Sequence, residues 1–163
     1  MATLPNKRIL NFIGAAICAS MMGFALYAQY VLYLEPCPLC ILQRVAVILL
    51  GLLFLLAALH NPFQPATRIY AVLLGIVASA GVAVAAWQVR LQHLPADEVP
   101  SCGPGLEYMV DNFPLQDVLG MIFKGSGECA EVAWRLLGLS MPAWVIVALL
   151  GLTAAGVWNN TRV

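Results

Sequence analysis

Charge is what this chain of 163 residues has least of. Lys, Arg, Asp and Glu make up 10% of it, where a soluble domain carries about 25%. So few charges cannot cover a water-facing surface, and with 62% hydrophobic residues the expected solvent is lipid. Low-complexity tracts, basic patches and acidic tails are also missing, so nucleic acid is not an expected partner. Eight basic and eight acidic residues cancel in number, but they are not mixed along the chain.

What is present is long apolar runs. A helix needs about 20 mainly apolar residues to cross the hydrocarbon core. Four stretches meet that length or nearly so: roughly Ile9–Leu34, Ile41–Leu59, Ile69–Val89 and Ala143–Trp158. The last is a little short, with Pro142 suited to its first turn. Helix is the only sensible reading, because lone strands cannot satisfy their backbone groups in lipid. Lys7 and Arg8 ahead of the first run suggest a secretory signal, but the run exceeds an h-region of about 7–15 residues. No small residue stands just before Cys18, so a cleaved lipoprotein signal is not expected, and the segment reads as an uncleaved anchor. The predicted fold is therefore an all-α, four-transmembrane-helix bundle in a single membrane domain spanning 1–163.

The charges orient the bundle. Lys7, Arg8, Arg68 and Arg162 fall on one side with no acidic residue among them. Every Asp and Glu falls on the other, together with Arg44, Arg90, Lys124 and Arg135. By count of Lys and Arg the sides tie, and position decides. The first group sits in short segments at span ends, whereas Lys124 and Arg135 lie in a long loop, where basic residues count less. Both termini are expected in the cytoplasm. The loops of roughly 35–40 and 90–141 are expected outside it.

Four of the five cysteines fall in those two outer loops. Cys37 and Cys40 form Cys-Pro-Leu-Cys at the mouth of the second span, and Cys102 and Cys129 lie in the long loop. Cys18 alone is within a span and reads as a small buried apolar residue. A Cys-x-x-Cys at a helix N-terminus has a physical use: the macrodipole and the free N–H groups favour a thiolate. A lowered thiol pKa makes a better leaving group and a more reactive sulfur at neutral pH. Pro38 suits the first turn. Arg44, four residues after Cys40, shares its helical face. Its fixed positive charge would stabilise a Cys40 thiolate, and at the membrane edge it could bind a polar headgroup or simply snorkel. As a structural disulfide, the 37/40 pair would close too small a loop to stabilise a fold much. Four cysteines could also make a tetrahedral zinc site. The spacing of 102 and 129 is not that of a knuckle, and the compartment is oxidising, so no metal is expected. Cys102 and Cys129 by themselves read as a loop staple, and three pairings of the four cysteines stay open.

The long loop contains Pro114-Leu-Gln-Asp-Val-Leu-Gly-Met-Ile-Phe-Lys124, which puts Leu115, Val118, Leu119 and Ile122 on one helical face. That predicts a short amphipathic helix, lying either on the membrane surface or as a cap over the bundle. Gly125-Ser-Gly127 follows as a flexible joint just before Cys129, which could let that cysteine move between two partners.

These residues resemble the bacterial disulfide-bond formation protein DsbB, over nearly the whole chain. The resemblance rests on the four-span layout and on Pro36-Cys-Pro-Leu-Cys-Ile-Leu-Gln-Arg44. It rests also on Gly125-Ser-Gly-Glu-Cys-Ala-Glu131, followed by Trp134, Leu137-Gly-Leu and Met141-Pro-Ala-Trp144. It implies an inner-membrane, quinone-dependent thiol oxidase acting in the periplasm. Reduced DsbA, a thioredoxin-fold oxidant, would attack Cys102 of a Cys102–Cys129 disulfide. Cys129 would then attack Cys37 of a Cys37–Cys40 disulfide. Cys40 would be released facing a quinone, ubiquinone or menaquinone, with Arg44 assisting. Many family members place a His near the outer end of the third span, before a Leu-Gln pair. With Leu91-Gln92 as that pair, the position holds Gln88, which makes Gln88 the second expected quinone-site residue beside Arg44. Two rival readings differ in observable ways. A relative of vitamin K epoxide reductase would carry its quinone-facing Cys-x-x-Cys near the last span, not the second. A disulfide-stapled tetraspan scaffold would have no use for Arg44 beside a membrane-edge Cys-x-x-Cys.

Overall fold

A computed structural model describes residues 6–61, 63, 66–95, 97–99, 108 and 111–162. Four long helices dominate it: α1 (Lys7–Tyr30), α2 (Pro38–His60), α3 (Ala66–Leu91) and, after the long loop, α6 (Met141–Thr161). Each is long and apolar enough to cross a membrane. At about 1.5 Å per residue, even the shortest matches a hydrocarbon core of about 30 Å.

The helix limits differ from the sequence expectation for local reasons. The first helix ends at Tyr30 instead of near Leu34. Tyr33 turns into the left-handed region (φ 54°), and the Leu34 amide bonds back to the Ala28 carbonyl at 3.0 Å. The second begins earlier, at Pro38, because proline at the first helical position needs no N–H partner and Cys37 provides the cap. The third runs a little past its expected span at both ends. The last continues past Trp158, because Asn159 and Asn160 find partners inside the bundle.

The helices close a ring in which α1 packs on α2, α2 on α3, α3 on α6, and α6 more sparsely on α1. Inside it lies a core that includes Val47, Leu50, Phe54, Leu74, Leu149 and, as expected for a small apolar group, Cys18. Phe54 is the wedge. A β-carbon added at Gly14 of α1 would lie 2.8 Å from its ring, and one added at Gly156 of α6 would lie 2.7 Å from it. Two glycines on different helices thus let one aromatic ring fill the axis, the close approach by which small residues pack helices in lipid. Ile9, Leu56, Ile69 and Val72 face outward, as lipid contact requires.

One end of the bundle is fastened by amides. Asn160 and Asn159 of α6 donate to Asn11 Oδ1 of α1 at 3.2 Å each, and all three residues are buried. Lys7 Nζ donates to the Arg162 carbonyl at 2.5 Å, placing a cation at the negative end of α6. The opposite end holds the loops. There α4 (Leu115–Lys124) seats Val118 and Ile122 against Cys37, Leu39, Leu91 and Cys129. Its apolar face covers the bundle, which is the capping arrangement. The side chains of Leu115 and Leu119 lie outside the description. A single turn, α5 (Gly127–Ala130), follows and carries Cys129. A two-residue hairpin, β1 (Arg135–Leu136) with β2 (Leu139–Ser140), then leads into α6. Its turn, Leu137-Gly138, has φ of 53° and 83°, the positive pair that matches strand twist in a two-residue hairpin.

The Phe54 wedge yields a test. Gly156→Ala forces a methyl into the ring and is expected to destabilise by about 1–3 kcal/mol, as overpacking does. Gly151→Ala, where nothing lies within 4 Å, is expected to leave thermal unfolding in detergent micelles unchanged.

Candidate redox site

The site is built on the N-terminus of α2. Cys37 is the helix cap, and its Sγ accepts the Cys40 amide N–H at 3.3 Å. A sulfur thus does what an Asp or Ser oxygen does at most helix starts. Pro38 and Leu39 complete the turn, which brings Cys37 Sγ to 2.8 Å from Cys40 Sγ. All the described cysteines are free thiols, so this is the dithiol form of the inner pair.

The third sulfur arrives from the loop. Gly125 ends α4 with φ 78°, and a β-carbon there would lie 2.5 Å from Leu91 Cδ1. Only glycine fits this turn. Ser126 then opens α5 and takes the Cys129 amide on its carbonyl at 2.9 Å. Cys129 is fully buried and hydrogen-bonded to the side chain of Cys37. The neighbours Cys37 and Cys40 and the sequence-distant Cys129 therefore share one cluster, with the Cys37 sulfur as the member common to both contacts. Cys102 lies outside the described residues.

The electrostatics follow from who donates. Cys37 has one thiol proton and two sulfur acceptors, Cys129 and Cys40, and it is buried, so its thiol is held far above the usual range. Cys129 receives that hydrogen bond, and backbone N–H groups at Ser126 and Leu39 add to it. Against the cost of burial, its pKa is pushed down to about 5. The loop cysteine is thus poised as a thiolate beside the sulfur of Cys37.

Gln88 of α3 reaches the same cluster. Its Nε2 donates to Cys37 Sγ and to Cys40 Sγ at 3.3 Å each, and its Oε1 accepts from Gln43 Nε2 at 2.6 Å. Arg44 is placed differently from the sequence expectation. Its guanidinium bonds Gln29 Oε1 at 2.5 Å and the Ala25 carbonyl at 3.1 Å on α1. The side chains bonded to Cys40 are Cys37 and Gln88. Arg44 still lines the cavity that Cys40 faces.

That cavity has a volume of about 140 Å³. Met21, Met22 and Ala25 of α1 line it, with Cys40, Arg44 and Val47 of α2, Gln88 of α3, Gln92 just past the end of α3, Val145 of α6 and Trp134. Trp134 is held against Phe24, with ring centroids 5.6 Å apart. Gln92 Oε1 is buried there with no hydrogen-bond partner among the described residues. Sequence reasoning missed Gln43 and Gln92. The available signal was a polar side chain inside or at the rim of an apolar span, which lipid does not tolerate without a use.

A helical membrane bundle that brings a Cys-x-x-Cys and a loop thiolate into one sulfur cluster is a membrane thiol–disulfide oxidoreductase. The comparisons with known proteins agree. The family model described as "Disulfide bond formation protein DsbB" matches residues 7–159. The "Disulfide bond formation protein B" of Hahella chejuensis is 54% identical over 153 residues, covering 94% of this chain and 92% of the relative. That of Nitrosococcus oceani is 52% identical over 96% of this chain and 93% of its own length. That of Methylococcus capsulatus is 48% identical over 98% and 99%. The chain belongs to the DsbB family, multi-pass membrane proteins of disulfide bond formation.

The depressed Cys129 pKa has a measurable sign. In the reduced protein, the ultraviolet thiolate absorbance assigned to Cys129 is expected to persist at neutral pH and vanish only as pH falls through about 5. With Cys37→Ala the leading hydrogen bond is gone, and the same transition is expected to move up toward the ordinary thiol range of about 8.5.

Proposed function

We propose that this chain is an inner-membrane thiol:quinone oxidoreductase that reoxidises a DsbA-like, thioredoxin-fold protein and passes the electrons to a membrane quinone. The observation that carries the reading is the shared cluster of Cys37, Cys40 and Cys129 at the head of a cavity between helices. One side of this cluster, Cys129, comes from the loop outside the spans, the side from which a soluble partner would approach. The other opens into the membrane domain.

The exchange runs as paired sulfur substitutions, each moving two electrons. A partner thiolate attacks Cys102 of the Cys102–Cys129 disulfide, an S–S bond forms to the partner, and Cys129 leaves as a thiolate. Its low pKa makes it a good leaving group at this step. Cys129 then attacks Cys37 of the Cys37–Cys40 disulfide, forming a Cys37–Cys129 bond and releasing Cys40 as a thiolate. The second partner thiol resolves its bond to Cys102 and departs oxidised, and the Cys102 thiolate so released attacks Cys129, re-forming the Cys102–Cys129 disulfide and freeing Cys37 as a thiol beside Cys40. Gln88 amide hydrogens, already aimed at both inner sulfurs, stabilise the negative charge that appears on Cys40.

The residues present fit a quinone. A cavity of about this volume admits a six-membered ring, its walls are largely apolar, and its polar groups gather near Cys40. Arg44 has N–H groups beyond those it spends on α1 that suit a quinone oxygen, and the Gln92 carbonyl oxygen, without a partner among the described residues, suits the O–H of the quinol. Arg44 and Gln88 are the residues that would hold the ring. When bound, ubiquinone or menaquinone supplies the two-electron acceptor that returns the inner pair to its disulfide. The orientation belongs to the same reading. The end fastened by Lys7 and the asparagines faces the cytoplasm, and the cysteine end faces the periplasm.

Purified protein tests this directly. With reduced DsbA and a soluble quinone analogue, the wild type is expected to consume the quinone. Cys40→Ser is expected to bring quinone reduction to background. Cys102→Ser is expected to block turnover with DsbA while the inner disulfide still forms. Normal DsbA turnover by either variant overturns the assignment.

A further inference from the structure

A carboxamide has two ends of almost the same shape and opposite chemistry: a carbonyl that only accepts and an NH2 that only donates. Gln88 sits with that choice directly over the inner cysteines. If its NH2 faces them, negative charge on sulfur is stabilised. If its carbonyl does, that charge is opposed. Gln88 cannot make this choice through the sulfurs alone, because a thiol can donate as well as accept.

Gln43 makes it. This residue stands one helical turn below Cys40 on α2, on the same face. Its Nε2 donates to Gln88 Oε1 at 2.6 Å, and the two side chains are 5% and 3% exposed. That bond turns the Gln88 carbonyl toward α2 and leaves it only a long contact from the Cys40 thiol, so the NH2 is the end presented to the sulfurs. That NH2 lies 3.3 Å from both sulfurs, whereas Oε1 is 3.7 Å from Cys40 Sγ. A polar side chain at this depth is costly unless paired, and each glutamine is the other's partner.

We propose that Gln43 is a positioning residue of the redox site: its hydrogen bond fixes Gln88 with the NH2 toward Cys37 and Cys40, so that two neutral amides stabilise a sulfur anion. The proposal rests on the reading of Cys37–Cys40 as the inner redox pair. It assigns to an uncharged side chain, outside direct contact with either sulfur, control over the reactivity of both. It also explains how the pair is served by an uncharged side chain at position 88 of α3. An amide keeps its donor at every pH, so the assistance it gives does not switch off on either side of neutrality.

The test is a double-mutant cycle read on sulfur reactivity. The reduced protein is alkylated at neutral pH, and the rate at Cys40 is followed by peptide mapping. Gln43→Met keeps the length and removes the donor, and Gln88→Met removes the group it acts through. Each single variant is expected to slow Cys40 alkylation, Gln88→Met by about tenfold, the size of one charge-assisted hydrogen bond. In the Gln88→Met background, Gln43→Met is expected to change nothing further. Wild-type reactivity in Gln43→Met, or effects of the two substitutions that simply add, overturns the proposal, because a merely structural contact between α2 and α3 would act with or without Gln88. Should Gln43→Met fold poorly, Gln43→Glu carries the test. Its carboxylate accepts only, so Cys40 reactivity, taken as a ratio to wild type at the same pH, is expected to fall as the carboxyl ionises and to recover on acidification. A ratio that stays flat against pH overturns the proposal. A wild type that consumes no quinone analogue with reduced DsbA would instead overturn the functional reading, while the alkylation cycle still judges Gln43.

Discussion

The cap that Cys37 places on α2 is the contact on which the rest of this end of the molecule depends. A helix start leaves N–H groups without partners, and here a sulfur takes one of them. The reactive atom is thereby fixed to the most rigid kind of element a membrane protein has. Because Cys37 is both cap and hydrogen-bond donor, its neighbours are ranked. Cys40 follows within the same turn, Cys129 accepts a hydrogen bond from across the loop, and Gln88 reaches in from α3. Moving Cys37 by one residue would separate all three.

The loop is shaped to deliver one atom. α4 is anchored by Val118 and Ile122 on the same apolar cluster that holds Leu39 and Leu91. The turn at Gly125 lies so close to Leu91 that no side chain could stand there. Ser126 then starts a single helical turn whose third residue is Cys129. The apolar contacts set the depth and the glycine sets the direction. The outcome is a fully buried Cys129 sulfur set against that of Cys37.

Much of this was legible in the sequence, for definite reasons. Four apolar runs have one stable solution in lipid, and a Cys-Pro-x-Cys before such a run marks its own helix start. Leu115 to Ile122 show a helical period, though not whether the apolar stripe meets lipid or protein. That depended on Leu39 and Leu91, whose exposure at the bundle end only tertiary packing decides. Arg44 illustrates the limit of a helical-face argument. It shares a face with Cys40, but its side chain is long, and Gln29 on α1 offered a nearer partner. Gln43 and Gln88 are separated by α2, a turn and most of α3, so no spacing rule connects them. The same holds for Asn11 with Asn159 and Asn160, which come from opposite ends of the chain.

Those asparagines also divide the bundle mechanically. The seam between α1 and α6 is the sparsest in the ring. It is stitched at the Asn11 end, while near the cysteines the same two helices contribute Met21, Met22 and Val145 to a cavity wall. A seam sewn at one hem resists parting least at the other, so the wall beside the cysteines is the stretch of the ring that its neighbours hold shut most loosely.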